Sequence, residues 1–276
     1  MQSGERLIAD MHTHSDNSHD SKCKMEDMCL SQIQKGTRIM AVTDHCDTFM
    51  CNDYDIYTPL INSYNEVCAL SEKYNDKCML LSGVEIGEGF WFPKECERVL
   101  RLVPYDVILG SVHCVKYNDI TEPYSIIDFS TFNKEQLYGY IGAYFDDMLT
   151  MLDCMDFDIL THLTCPLRYI SGKYKREIDL SVFDEKITEI LKCIIKREIA
   201  LEINTSSVDV LNDFMPPVQI LKKYRELGGS LIALGSDAHS AQNASAHFDK
   251  AIACMKKLGF YEAVYYKNRK CHVYTI

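Results

Sequence analysis

The stretch Leu7-Ile8-Ala9-Asp10-Met11-His12-Thr13-His14 begins as a short apolar run and ends abruptly on two histidines. A continuous apolar run of that length suits a strand buried on both faces, as in a parallel sheet. The same kind of segment recurs along the chain. Ile39-Met40-Ala41-Val42-Thr43 stops at Asp44-His45, Met79-Leu80-Leu81-Ser82-Gly83-Val84 at Glu85, and Val107-Ile108-Leu109-Gly110-Ser111-Val112 at His113. Phe157-Asp158-Ile159-Leu160-Thr161 stops at His162, Ile199-Ala200-Leu201-Glu202-Ile203 at Asn204, and Leu231-Ile232-Ala233-Leu234-Gly235-Ser236 at Asp237-Ala238-His239. Apolar residues at steps of three to four predict helices between these runs, over 24–35, 59–75, 133–154, 184–196, 217–227 and 245–258. Gly228-Gly229 is a natural stop for the helix over 217–227.

Seven such strand–helix alternations predict a parallel α/β barrel, closed or nearly so. An open doubly wound sheet is the competing topology, but it collects polar strand ends at one switch point. Here every predicted strand ends in a polar residue, which favours one continuous barrel rim. No linker, low-complexity tract or close repeat divides the 276 residues, so one domain over 1–276 is expected.

Composition bounds the rest. Apolar residues make up 47% of the chain, too many for a disordered one. The net charge of −11 argues against sequence-independent nucleic-acid binding, which needs a basic face. No apolar run reaches the length of a membrane span. Met1-Gln2-Ser3-Gly4-Glu5-Arg6 lacks an apolar signal core, so a cytoplasmic protein is expected. The thirteen cysteines contain no Cys-x-x-Cys pair and read as small buried residues of a reducing compartment.

His12 and His14 are two apart on an extended segment, so both imidazoles can face one ion. Alone the pair is a weak signal. The set is much stronger: six of the nine histidines (His12, His14, His45, His113, His162 and His239) fall at predicted strand ends, together with Glu85 and Asp237. Imidazole and carboxylate together suit Zn²⁺, Mn²⁺ or Fe²⁺. So many donors exceed what one ion takes, and predict two or three ions sharing a bridging carboxylate. Adjacent divalent ions lower the pKa of a shared water to give hydroxide and neutralise a phosphoryl group during displacement.

Asp10-Met11-His12-Thr13-His14, Thr43-Asp44-His45, Gly83-Val84-Glu85-Ile86-Gly87, Gly110-Ser111-Val112-His113, Thr161-His162 and Gly235-Ser236-Asp237-Ala238-His239 together resemble the motifs of the polymerase-and-histidinol-phosphatase (PHP) family, in family order over nearly the whole chain. The resemblance implies a distorted (β/α)7 TIM-like barrel with a trinuclear metal site at the C-terminal rim of the strands. By position, it implies that His12, His14, Glu85 and Asp237 bind a first ion. Glu85 would bridge to a second held by His113 and His162. The third would be held by His45, His239 and a residue of the loop after the first strand. In the family that residue lies about eight positions beyond the first histidine, where this chain has Asp20, with His19 as the alternative.

Within the family, the length and the motifs around Glu85 and His113 look most like the bacterial histidinol-phosphatases, which hydrolyse L-histidinol phosphate in histidine biosynthesis. Another small phosphate ester or nucleotide is the alternative substrate, and a metal-binding module without turnover is the reading from a different class. Arg168, six residues after His162, is the candidate phosphate-binding fork, and matching phosphatases carry a basic residue in this loop. Lys116 and Asn204 are further substrate-binding candidates. Asp44 is expected to orient an imidazole. Besides Arg168, Asp44 and His239 complete the candidate catalytic set. Glu88, Trp91, Tyr54, Tyr57 and Tyr117 are candidates for the organic part of the pocket, with Glu88 suited to an amino group. His247 and His272 fit no strand end and read as structural.

Overall fold

The computed structural model describes residues 7–276, so the reading of Met1-Gln2-Ser3-Gly4-Glu5-Arg6 lies outside the described residues. Eight strands form the main sheet: β1 (Ala9–Asp10), β2 (Ile39–Val42), β3 (His45–Asp47), β4 (Met79–Gly87), β5 (Val107–Ser111), β6 (Ile159–Leu160), β7 (Ala200–Asn204) and β8 (Ile232–Gly235). Seven of them run parallel in the order β1-β2-β4-β5-β6-β7-β8. β3 resumes the line of β2 after a break at Thr43-Asp44 and pairs with the far half of β4, setting His45 opposite Glu85.

The ring is nearly closed between its first and last strands. Met11 N–H donates to Leu234 O (2.8 Å), Asp237 N–H to His12 O (2.8 Å) and His14 N–H to Ala238 O (3.0 Å). This is the expected seven-fold barrel, with the closing strand pair replaced by these three bonds. Closure also carries the first and last motifs to one place on the rim.

The predicted helices form: α1 (Met25–Gln34), α2 (Thr58–Tyr74), α4 (Lys134–Cys154), α5 (Asp184–Arg197), α7 (Val218–Glu226) and α8 (Phe248–Lys257), with α3 (Pro93–Leu100) and α6 (Val208–Leu211) in addition. The longest, α4, starts at a reciprocal cap in which Asn133 Oδ1 accepts from Gln136 N–H and Gln136 Oε1 from Asn133 N–H. It buries Leu137, Tyr140, Ile141, Tyr144, Phe145, Met148, Met151 and Leu152, one face at helical spacing. Gly228, at φ +94°, takes the left-handed turn after α7, which a side chain would strain.

A C-terminal hairpin, β9 (Glu262–Lys267) and β10 (Lys270–Thr275), was not expected. Its tip is bonded to the end of the barrel opposite the histidine-bearing rim. Asn268 N–H donates to Asp106 Oδ1 (2.9 Å), and Arg269 Nε to Asp158 Oδ2 (2.5 Å), at the entries to β5 and β6. All thirteen cysteines are free. Cys29, Cys46, Cys78, Cys96, Cys114 and Cys165 are buried as expected, but Cys68, Cys154 and Cys271 are exposed. No helix among the described residues is long and apolar enough to cross a membrane.

Candidate metal centre

Because the strands are parallel, their C-terminal ends share one rim, and the polar residue after each apolar run arrives there. Glu85, within β4 and fully buried, is the hub. Its Oε1 lies 2.8 Å from His162 Nε2 and 3.2 Å from His113 Nε2. Its Oε2 lies 3.0 Å from His45 Nδ1, 3.2 Å from His12 Nε2 and 3.6 Å from His14 Nε2. Asp237 follows β8 and turns Oδ1 toward His14 Nε2 (3.4 Å), His239 Nδ1 (3.6 Å) and His12 Nε2 (3.8 Å). The His14 ring stacks on those of His239 and His45, at centroid separations of 4.1 and 4.3 Å.

Donor atoms converge within 4.8 Å in overlapping groups: His12-His14-Asp237, His12-Glu85-His162, His45-Glu85-His113 and His14-His45-His239. A further group is Asp47-Glu88-His113. His12 Nε2, His14 Nε2, His45 Nδ1, His239 Nε2 and Glu85 Oε2 are all buried without a hydrogen-bond partner. Each such orphan costs roughly 1–3 kcal/mol if left unmet. Lone pairs of several imidazoles and carboxylates aimed at one small volume are what a divalent cation requires, so the residues present fit one.

The electrostatics divide the cluster: burial opposes protonation of His12, His45 and His113, but Glu85 beside them holds all three well above an ordinary imidazole, so a cation bound there would displace protons. Burial opposes ionisation of Glu85, but the imidazoles of His12, His113 and His45 together hold it well below the usual carboxylate range. Burial, helped by the neighbouring His239 and His45, pushes His14 well below an ordinary imidazole. Burial thus disfavours the doubly protonated ring, and with Nδ1 on Ser18 Oγ the other nitrogen, Nε2, faces the cluster.

The loop after β1 brings both third-site candidates to the pocket wall. Asp20 Oδ2 lies 3.0 Å from His239 Nε2 and 3.5 Å from His45 Nε2. His19 is 3.9 Å from Asp47 Oδ2; neither it nor Asp20 belongs to the convergent groups, and what favours Asp20 is its closer approach to His239 and His45. Asp20→Asn is accordingly expected to lower both bound metal and activity, roughly tenfold or more in kcat/KM, and His19→Gln far less. Side-by-side kinetics and metal analysis check the order; the reverse would shift the assignment one residue along the loop.

Arg168 begins a short π-helix, Arg168–Lys173, and lies on the pocket wall. One terminal nitrogen donates to Asp237 Oδ2 at 2.8 Å and to Ser206 Oγ, while its buried Nε has no partner. It is thus neither a surface residue nor paired with a surface carboxylate.

Several expected residues stand elsewhere. The Lys116 ammonium sits 4.2 Å over the Trp91 ring and does not line the pocket. Asn204 is fully buried, donating to Glu202 Oε2 (3.1 Å) and accepting from Ser206, so it braces the strand end instead of facing a ligand. Asp44 touches no imidazole. It accepts from Ser15 N–H (2.6 Å), Ser63 Oγ (2.6 Å), Ser15 Oγ (2.8 Å) and Ser18 Oγ (2.9 Å), and only Ser18 reaches on to His14 Nδ1 (3.1 Å). Ser18 Oγ also accepts from the His45 backbone N–H (3.0 Å), so Asp44 acts on the rim through this serine.

Glu88 is also withdrawn. It is fully buried, accepts from the backbone N–H of His113 and of Cys114, and burial pushes its pKa up to about 8. Trp91, Tyr54, Tyr57 and Tyr117 lie off the pocket, whose apolar wall is Phe49, Met50, Tyr124, Ile126 and Tyr169 around a cavity of about 290 Å³. His247 pairs with Asp209 (3.0 Å) and His272 stacks on Tyr265, both remote from the rim. Two buried carboxylates were not anticipated, Asp47 against His113 and Glu202 against His12.

Comparison with known proteins adds the following. The model of the PHP domain family matches residues 10–206. A protein of Clostridium acetobutylicum named "Probable histidinol-phosphatase" is 29% identical over 264 residues, covering 93% of this chain and 97% of that protein. The histidinol-phosphatase of Lactococcus lactis is 28% identical over 264 residues, covering 95% of each. A crystal structure of the histidinol phosphate phosphatase of Lactococcus lactis, complexed with zinc, L-histidinol and phosphate, superposes with a TM-score of 0.79 at 25% identity, over 97% of this chain and 99% of that one.

Proposed function

The chain belongs to the PHP domain family, and from that premise we propose that it hydrolyses L-histidinol phosphate to L-histidinol and phosphate with divalent ions held at the barrel rim. The observation that carries this reading is the end-to-end likeness to a phosphatase whose crystal structure holds zinc, L-histidinol and phosphate. It meets a rim whose buried, unpartnered imidazole and carboxylate atoms suit a cation.

In this reading His12, His14, Glu85 and Asp237 hold a first ion, Glu85, His113 and His162 a second, and His45, His239 and Asp20 a third. Zn²⁺, Mn²⁺ and Fe²⁺ all suit imidazole–carboxylate donors. Bound side by side, such ions activate water and offset the charge of a phosphoryl group. The chain's own residues do the rest. Arg168 turns its unpartnered edge to the phosphate oxygens while its other edge fixes Asp237 and Ser206. Phe49, Met50, Tyr124, Ile126 and Tyr169 pack the leaving group and exclude bulk water from one side of the cavity.

One observation favours a second reading, a phosphatase for another small ester. With Glu88 withdrawn, the pocket's carboxylates, Asp20, Asp47 and Asp237, all lie against histidines of the cluster. None is left over for an ammonium group. We further propose that residues 1–276 act as one barrel domain and in the cytoplasm, where free cysteines persist.

A panel of phosphate monoesters that includes L-histidinol phosphate, with elemental analysis of unchelated protein, tests the reading. Two to three divalent ions per chain are expected on the donor count. L-Histidinol phosphate should give the highest kcat/KM, and chelation should remove the activity. Preference for another ester moves the assignment to the second reading, and full activity in a chelated, metal-free protein removes the metal from it altogether.

A further inference from the structure

Glu202 sits in the middle of β7 with both carboxylate oxygens engaged. Oε1 lies 2.7 Å from His12 Nδ1. Oε2 accepts from the His162 backbone N–H at 2.6 Å and from Asn204 Nδ2 at 3.1 Å. Asp47, in β3, repeats the arrangement for His113, its Oδ1 lying 2.7 Å from His113 Nδ1. Each imidazole then presents Nε2 to Glu85, His12 at 3.2 Å and His113 at 3.2 Å.

Neighbouring strands make room for both carboxylates by carrying glycine. A Cβ at Gly235 would overlap Glu202 Oε1 and come within 2.8 Å of His12 Cβ. A Cβ at Gly87, the registered partner of Asp47, would overlap Asp47 Oδ1 and come within 3.1 Å of His113 Nδ1. In two separate strand pairs a glycine of the neighbouring strand thus leaves room for a buried acid that grips the far nitrogen of a rim histidine, Gly87 in register with Asp47 and Gly235 two residues beyond Ala233, the registered partner of Glu202.

We infer that Glu202 and Asp47 are positioning residues that choose the metal-facing nitrogen of His12 and His113, each by accepting the Nδ1 proton and leaving the Nε2 lone pair toward the rim. An ionised carboxylate has no hydrogen to give, so the one shared with the ring resides on Nδ1. A ring that binds a cation keeps one hydrogen, and the carboxylate keeps it on Nδ1, so Nε2 is the nitrogen that gives up its proton to the metal. A carboxylate acceptor also makes the opposite nitrogen a stronger ligand. His14 and His239 use neutral acceptors for the same purpose, Ser18 Oγ at 3.1 Å and the Asp237 carbonyl at 3.0 Å. His12 and His113 differ in that each is gripped by an acid.

Glu202→Gln tests this with almost no change of shape. The two donors at Oε2, His162 N–H and Asn204 Nδ2, keep the amide oxygen on their side. The amide NH₂ is therefore left facing His12 Nδ1, which must accept and so move the ring hydrogen to Nε2. The inference rests on the proposal that this rim binds divalent ions, so zinc binding to the full-length parent protein is measured first. No binding by the parent would defeat the functional reading itself.

Given binding, Glu202→Gln is expected to weaken zinc about 10–100-fold in competition with a chromophoric chelator. The metal-free variant should melt with the parent, and ¹⁵N imidazole shifts recorded at a pH high enough for His12 to be neutral should report it as the Nε2–H form. Zinc affinity like the parent's, with His12 still protonated at Nδ1, overturns the inference. Should that variant fail to fold, Asp47→Leu, near-isosteric and without an acceptor, carries the test. A loss of about tenfold or more in zinc affinity supports the inference, and an unchanged affinity overturns it.

Discussion

Glu85→Gln should abolish hydrolysis and strip the rim of metal in one step. Both carboxylate oxygens face ligand nitrogens, His162 and His113 on one side and His45, His12 and His14 on the other. The amide removes the negative charge at the centre of the cluster and turns an NH₂ group toward nitrogens whose lone pairs should meet a cation. The Coulomb contribution is largest where water is excluded, and Glu85 is fully buried. A fall of about three orders of magnitude or more in kcat/KM is expected, the upper end of what one lost charge-stabilising group produces. It should come with fewer ions per chain by elemental analysis. Near-parental turnover and stoichiometry would make Glu85 an ordinary buried strand residue.

Arg168→Ala should lose about two to three orders of magnitude in kcat/KM for L-histidinol phosphate while keeping its metal. A phosphomonoester near neutral pH carries close to two negative charges, and a guanidinium can meet two of its oxygens in parallel bonds. Lysine restores the charge but not the fork, so Arg168→Lys should remain clearly impaired. Metal should survive because Asp237 Oδ2 keeps the Ser206 hydroxyl at 3.0 Å, while its Oδ1 still faces His14 and His12. Normal rates in the alanine variant would mean that Arg168 only braces Asp237. Lost metal alongside lost rate would assign it to the architecture of the first ion site.

The barrel and its histidine-bearing rim were legible along the chain because both are written locally. An apolar run that stops at His12, His45, Glu85, His113, His162 or Asp237 announces at once a buried strand and a donor at its C-terminal end. Parallel strands then bring those ends together without further information. Helix periods were equally local, and α4 begins and ends close to where its spacing and its Asn133 cap place it.

What the chain does not announce is any partner far away in sequence. Glu202 lies inside an apolar run, two residues before the strand end, and its partner His12 is 190 residues distant. Asp47 reads as a loop residue until β3 registers it against Gly87 beside His113. Lys116 and Asn204 occupy the right positions in the sequence but turn to Trp91 and to Ser206. Tyr124 and Ile126 reach the pocket from a loop, and Tyr169 from a single helical turn, whose course no periodicity encodes. The sequence by itself thus determined the strand count, the rim and the donor set, because each depends on residues adjacent in the chain. Which nitrogen each histidine offers, which side chains wall the pocket and what closes the barrel were decided only by tertiary structure, because hydrogen bonds and packing act through space between segments that the chain keeps far apart.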